Sequence, residues 1–321
     1  MLDLVRRRYL WFGISILTII PGLIFLLLFG LNLGIDFAGG TRWEVHIPSQ
    51  PQPVEGLENQ MNEFFASKGL ESPRTQTSQG ESAGQPFAIA FVRTRAVDIN
   101  SPEKNAVEAG LREQFGPDTR LDSFQTVGST VRGAAIRNAI LAVVLASGAI
   151  LIYLWMAFRS APNPIRFGVC AILAMLHDVL VVIGLAAILG RLIGLEVDAL
   201  FLTALLTVIS FSIHDTIVVF DRIRENLRRS SEPFERVVNR SIVQTLTRSI
   251  NTQFTSMFTL LALLLFGGAS IRSFVLILLL GLISGTYSSI FNASQMLVVW
   301  ENREWRNWFG RGNKANPAAT A

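Results

Sequence analysis

The stretch ALFLTALLTVISFSIHDTIVVFDRIREN, residues 199–226, runs from an apolar segment into a burst of charge. Its apolar part, Ala199–Phe220, meets the roughly 20 residues that a helix needs to cross a bilayer. Asp221, Arg222, Arg224 and Glu225 read as an exit into water. Asp215 lies upstream of them, among apolar residues. An ionisable group at membrane depth costs roughly 2.5–3.5 kcal/mol even on permissive insertion scales, so Asp215 is a functional candidate by default.

Working outward, five more apolar runs appear: Tyr9–Phe29, Ala139–Phe158, Phe167–Leu189, Ile250–Phe266 and Phe274–Trp300. The chain of 321 residues is 50% hydrophobic and only 16% charged, with a mean hydropathy of +0.42. That balance excludes an ordinary soluble domain. The expected fold class is an α-helical membrane protein with six transmembrane helices. The first run, preceded by Arg6, Arg7 and Arg8, is longer than the apolar core of a signal peptide, and no A-x-A site follows closely. It reads as a retained anchor. The single Cys170 lies inside the third run, which leaves no intrachain disulfide framework.

Arginine placement predicts orientation. With the N-terminus inside, the inner segments hold Arg6, Arg7, Arg8, Arg159, Arg166, then Arg222, Arg224, Arg228, Arg229, Arg236, Arg240 and Arg248. The tail, 303–321, adds Arg303, Arg306, Arg311 and Lys314, whereas the short outer loops offer only Arg191 and Arg272. The positive-inside rule then places both termini in the cytoplasm and makes 221–248 a basic cytoplasmic loop. A pI near 9.7 is explained by this topology and by lipid headgroups, without nucleic acid.

Residues 1–33 form the N-terminus and first span; 34–132 must fold outside, before a bundle at 133–302. Within 34–132, TRWEVHI (41–47) alternates as a strand, and 53–69 reads as an amphipathic helix closed by Gly69. Thr75–Gln79 and PFAIAFVRT (86–94) follow as strands around a turn at Gly80–Gly84. The stretch 101–116 is a helix with Ser101 as N-cap and Pro102 at the first helical position, and RLDSFQTV (120–127) is a last strand. The order βαββαβ predicts an extracytoplasmic α+β ferredoxin-like domain between the first and second spans, with no catalytic constellation in it.

The dipeptide His-Asp occurs twice at membrane depth, as His177-Asp178 and His214-Asp215. An aspartyl protease needs its two carboxylates at one depth. Asp178 lies 11 residues into its run and Asp215 5 residues from the end of its own, an offset on the order of 9 Å. The GxGD signature is also missing. A metal site is disfavoured because neighbouring helical side chains point about 100° apart, so no metal and no cofactor is expected. An ion or proton relay fits better. Thr203, Thr207, Ser210 and His214 form one polar stripe, and Arg248, Thr252, Thr255 and Thr259 form another. Gly281, Gly285, Ser288 and Asn292 form a third, which reads as a helix-packing face. Asp178 reads as a structural group bonded to its neighbours, and Arg248 is either a counter-charge for Asp215 or a snorkelling surface residue.

These motifs together resemble the SecF branch of the SecD/SecF family of protein-export membrane proteins. The match rests on LGIDFAGGT (33–41), TVGSTV (126–131), LHDVLVVIG (176–184), IHDTIVVFDRIREN (213–226), QTLTRSINT (244–252) and GLISGTYSSIFNAS (281–294). The resemblance implies half of a bundle of the resistance-nodulation-division type in a bacterial cytoplasmic membrane, or in a thylakoid membrane if the host is a cyanobacterium. It implies a SecD partner, cooperation with the SecYEG channel and SecA on exported preproteins, and no enzymatic activity. It places Asp215 and Arg248, with His214 beside them, on the family's proton pathway, and Asp36, Gly39 and Gly40 in its junction motif. His214 stands where the family commonly has Asn, and Ser129 where it has Pro. A chain with one half of a two-fold pump is expected to pack a partner bundle through the Gly281/Gly285 face. The competing reading is a half-size exporter of small molecules or lipids.

Overall fold

The structure, a computed structural model, describes residues 3–48, 56–82, 85–159 and 163–304. The predicted helix start at 53–55, the turn residues Ala83 and Gly84, and the tail residues Arg306, Arg311 and Lys314 lie outside the described residues.

A 3-10 turn, Val5–Arg7, leads into α1 (Arg8–Phe29), and a short α2 (Ile35–Ala38) follows. Next come β1 (Gly40–Pro48), α3 (Leu57–Ser67), β2 (Arg74–Ser82), β3 (Gln85–Thr94), α4 (Pro102–Phe115) and β4 (Arg120–Val127). The long helices are α5 (Ser129–Phe158), α6 (Pro164–Leu192), α7 (Ala199–Arg229), α8 (Phe234–Phe266) and α9 (Ala269–Ser288). A π-helical turn, Ser289–Ala293, continues α9 into α10 (Ser294–Glu301). Among the described residues, six helical segments of 25 to 33 residues are long and apolar enough to cross a membrane.

The chain divides into two compact units. One comprises residues 31–142 and 189–202. Its sheet has the order β2-β3-β1-β4 with every neighbouring pair antiparallel, the split βαβ arrangement of a ferredoxin-like fold. Alternation along β1 buries Trp43, Val45 and Ile47 against Met61, Phe64 and Phe65 of α3 and Val107 and Leu111 of α4. The Trp43 ring meets Phe65 and Phe124 edge-on, and its indole N–H donates to the Thr94 hydroxyl at 2.9 Å, so this polar atom is buried with a partner. Ser101 caps α4 by accepting from the Lys104 amide.

The second unit holds residues 1–30, 143–188 and 203–321. Within it α1 crosses α6 at Gly22 and Gly184, where a Cβ on Gly22 would lie 2.6 Å from the Gly184 Cα. Only paired glycines permit that approach.

Several boundaries differ from the sequence reading. Residues 221–229 and 234–248, expected as a loop, are helical and extend α7 and α8. Likewise α5 starts ten residues ahead of its apolar run. Apolarity marks the hydrocarbon depth, whereas the i→i−4 hydrogen bonds continue wherever no Pro or cap interrupts them. In the same way β2 is longer than the expected Thr75–Gln79, because pairing with β3 continues to Ser82–Gln85.

Candidate functional site

Asp215 is buried on α7, 3% exposed, as the apolar residues around it require. Its Oδ2 accepts a 2.6 Å hydrogen bond from the Gln253 side-chain amide of α8. Gln253 is itself 2% exposed, and its Oε1 has no partner among the described residues. A primary amide can donate to a carboxylate and, turned over, accept from a carboxylic acid. The pair therefore offers a hydrogen bond to Asp215 in either protonation state.

Arg248 is not within ion-pair distance of Asp215 among the described residues; it is exposed on a different face of α8. The hydroxyls of Thr252, Thr255 and Thr259 are exposed too and donate to carbonyls one turn back in their own helix, at 2.9–3.2 Å. On α7, Thr203, Ser210 and His214 are exposed. The two polar stripes thus point out of this chain, while Asp215 points in. Gln253 was missed because it lies one residue round from the threonine stripe. Its signal was available: Ser241, Thr245, Ser249 and Gln253 recur at i+4 and make the buried face of α8.

Asp178 organises a second buried cluster. It is fully buried and accepts from the hydroxyls of Ser212 at 2.5 Å, Ser288 at 2.5 Å and Ser284 at 3.0 Å. Ser212 and Ser288 reach its Oδ2 and Ser284 its Oδ1; the His177 Nδ1 also lies 3.0 Å from Oδ1, so these neighbours meet although a helix directs them apart. The His177 Nε2 is buried with no partner among the described residues. Asp178 and Asp215 are held by separate partners, so they do not form a proton-sharing dyad. Among the described residues no group of three His, Cys, Asp or Glu could hold a metal ion.

Gly281 and Gly285 seat α9 against α7. A Cβ on Gly281 would lie 2.3 Å from Val208 Cγ2, and one on Gly285 3.2 Å from the Ser212 Cβ. Both glycines face their own chain, so the face expected to receive a partner bundle is filled internally. Next to it the Ser289 hydroxyl, in the π-helical turn, lies 2.9 Å from the Ser212 carbonyl and 2.8 Å from the Gly285 carbonyl, its one proton shared between them.

In the other unit, Asp36 caps α7: its Oδ2 accepts from the Ala199 amide at 2.9 Å. Gly34 N donates to the Val197 carbonyl and Val197 N to the Asn32 carbonyl, each at 2.8 Å, fastening the segment after α1 to the one before α7. Gly39 and Gly40 have φ of +78° and +113°, and a Cβ on Gly40 would sit 2.5 Å from the Thr94 carbonyl oxygen. Only glycine fits that turn.

Among the described residues, six membrane-length helices, a ferredoxin-like domain inserted after the first, and a buried carboxyl in the fourth define a multi-pass membrane protein with an ionisable site inside its bundle. The chain belongs to the SecD/SecF family of protein-export membrane proteins. Residues 107–303 match the SecD/SecF C-terminal region and residues 24–46 the SecD/SecF GG motif. It is 52% identical to Protein translocase subunit SecF of Thermobaculum terrenum, covering 97% of this chain and 98% of that one. The SecF of Anaerolinea thermophila is 46% identical, with 98% and 99% covered. The crystal structure of SecDF from Thermus thermophilus superposes with a TM-score of 0.77 at 32% identity, covering 94% of this chain and 39% of that one. This chain therefore spans about two fifths of that SecDF chain.

Proposed function

We propose that this chain is an accessory, non-enzymatic subunit of the Sec export machinery. It works with SecD and uses the proton motive force to promote late-stage movement of preproteins through SecYEG, with SecA driving the early stage. Its termini lie in the cytoplasm and its ferredoxin-like domain on the far side of the bacterial inner membrane. The fused SecDF relatives support the partnership, since in Bacillus subtilis SecDF the region similar to this chain is 38% of the whole. The exposed stripes of α7 and α8 are the surface we assign to SecD. Arg248 and His214 are otherwise polar groups presented to lipid, which cannot satisfy them.

The observation that carries the relay is Asp215, buried at membrane depth against an uncharged amide that suits both of its protonation states. Desolvation and a nearby positive charge act on a carboxyl in opposite senses, so an Arg248 that approaches and withdraws makes proton binding depend on conformation. Each proton re-entering yields about 2.3 kcal/mol per 100 mV, enough to bias a domain movement.

The test is export into vesicles lacking the native subunit, with and without an imposed proton gradient. Asp215→Asn should insert and co-purify with SecD, lose the gradient-dependent increment of export, and leave the ATP-driven part unchanged. Gradient-stimulated export equal to the parent chain would refute the relay.

A further inference from the structure

The sheet carries a row of like charges across three neighbouring strands. Arg74 of β2 stands opposite Arg93 of β3, and Arg93 stands opposite Arg42 of β1. Like charges directly opposite one another destabilise a sheet. Glu196 offsets part of this, ion-paired with Arg42 and 3.9 Å from Arg93. Burial holds the Arg93 guanidinium below its ordinary value; Glu196 works against that, and Arg74 and Arg42 add to it. The Arg74 side chain is exposed and makes no hydrogen bond or ion pair among the described residues. The row thus keeps uncompensated positive charge at its β2 end.

That end opens into a cavity of about 540 Å³ beside the Gly39–Gly40 turn. Arg74, Arg93, Arg95 and Arg132 line it, with Glu71 as the one acid among the described residues of the lining. Arg93 donates to the Leu33 carbonyl at 2.5 Å, Arg95 is partly engaged by Glu103 at 2.8 Å, and Arg132 donates to the Ala38 carbonyl at 3.2 Å. A guanidinium has five N–H donors, so each keeps others for a ligand. Ser129 also lines the cavity and opens α5. The first intrahelical bond of α5 runs from Arg132 N to Gly128 O, which leaves the amides of Ser129, Thr130 and Val131 without an acceptor in the helix. Four arginines around one cavity, beside open helix-start amides, match a multi-oxygen anion.

We propose that this cavity binds a phosphate group, held by Arg74, Arg93 and Arg132 and by the first-turn amides of α5. The phosphate can come from an anionic phospholipid headgroup or from solution. The headgroup is the better fit, since Ser129 and Arg132 are the first turn of a helix of membrane-crossing length. The site is separate from Asp215 and stands or falls independently of proton coupling.

The test is calorimetric titration of the full chain in neutral detergent with inorganic phosphate, with dihexanoyl-phosphatidylglycerol and with a polyglutamate peptide. Saturable binding of the first two is expected. Arg74→Gln and Arg132→Gln should each weaken it roughly tenfold, the value of a charge-assisted hydrogen bond, with Arg74→Lys intermediate because it keeps charge without the fork. Ser129→Pro is compatible with the first position of a helix and removes an amide and a hydroxyl, so it should weaken binding about threefold while circular dichroism and melting stay unchanged. Phosphatidylglycerol binding at least about tenfold tighter than phosphate assigns the headgroup; equal binding assigns the free anion. Absence of saturable binding, equal binding by Arg74→Gln and the parent chain, or a preference for polyglutamate would overturn the proposal.

Discussion

Removing Asp178 should destabilise the bundle measurably, whereas neutralising Asp215 should not. Asp178 is fully buried and accepts from Ser212, Ser284 and Ser288, with His177 beside the oxygen that Ser284 reaches. Asp178→Ala strips one acceptor site from α7, two from α9 and one from its own helix. Side-chain hydrogen bonds between membrane helices average about 0.6 kcal/mol each, so losing four costs about 2.5 kcal/mol, on the order of a 60-fold change in the folded fraction. The three hydroxyls and the imidazole also lose their acceptor in a place that water does not readily reach, which adds to that figure. Asp178→Asn keeps one acceptor oxygen and the volume, so it should lose about half as much. Among the described residues Asp215 accepts from the Gln253 side chain alone, and Asp215→Asn retains an acceptor for it, with an expected loss below about 1 kcal/mol. The assay is reversible unfolding of the purified protein in mixed micelles, followed by helix content, run beside the export measurement. The expected pattern is a destabilised Asp178→Ala and a stable but gradient-insensitive Asp215→Asn. A stable Asp178→Ala chain that lost only the gradient response would make Asp178 a member of the relay and refute this division of roles.

Three further outcomes follow from particular contacts. Gly285→Leu should lower the stability of the isolated chain, by about 1–3 kcal/mol of overpacking against Ser212 in denaturant titration, before SecD is added; selective loss of SecD co-purification at unchanged stability would restore the glycine face as the interface. Single cysteines at Ser82 and Ser230, in a Cys170→Ser background, should react with impermeant reagents from opposite sides of sealed membranes, and labelling of both from one side would sink the topology. Finally, burial raises the Glu304 carboxyl, but hydrogen bonds from Arg8, Tyr9 and Asn302 and the charge of Arg8 outweigh it and hold it below the ordinary range. A depressed carboxyl contributes stability that is present above its unfolded value, about 4.3, and lost as pH falls through the folded one. Glu304→Gln should therefore flatten the acid limb of the melting curve, and an unchanged limb would show that this contact contributes nothing.

Much of the architecture is legible in the sequence because it rests on local periodicity. Six apolar runs of spanning length, alternation along TRWEVHI and the Ser101–Pro102 helix start each depend on neighbours in the chain, and each appears in the structure, although α5, α7 and α8 run on well beyond their apolar cores. Asp215 was equally legible, since a lone carboxylate among apolar residues stands out at once. What the sequence could not supply was the direction in which each stripe points. On α8 the threonine stripe and the Ser241–Gln253 series are both polar at helical spacing, and only packing decides that the second faces inward. The same holds for Gly281 and Gly285, whose small size permits a close partner but does not say whether it is α7 or another chain. The row Arg74–Arg93–Arg42 is dispersed over fifty residues of sequence and becomes a single charged edge only when three strands pair. Periodicity reports that a face exists; which face meets which is set by long-range contacts, whose energy depends on shape and charge brought together from distant parts of the chain.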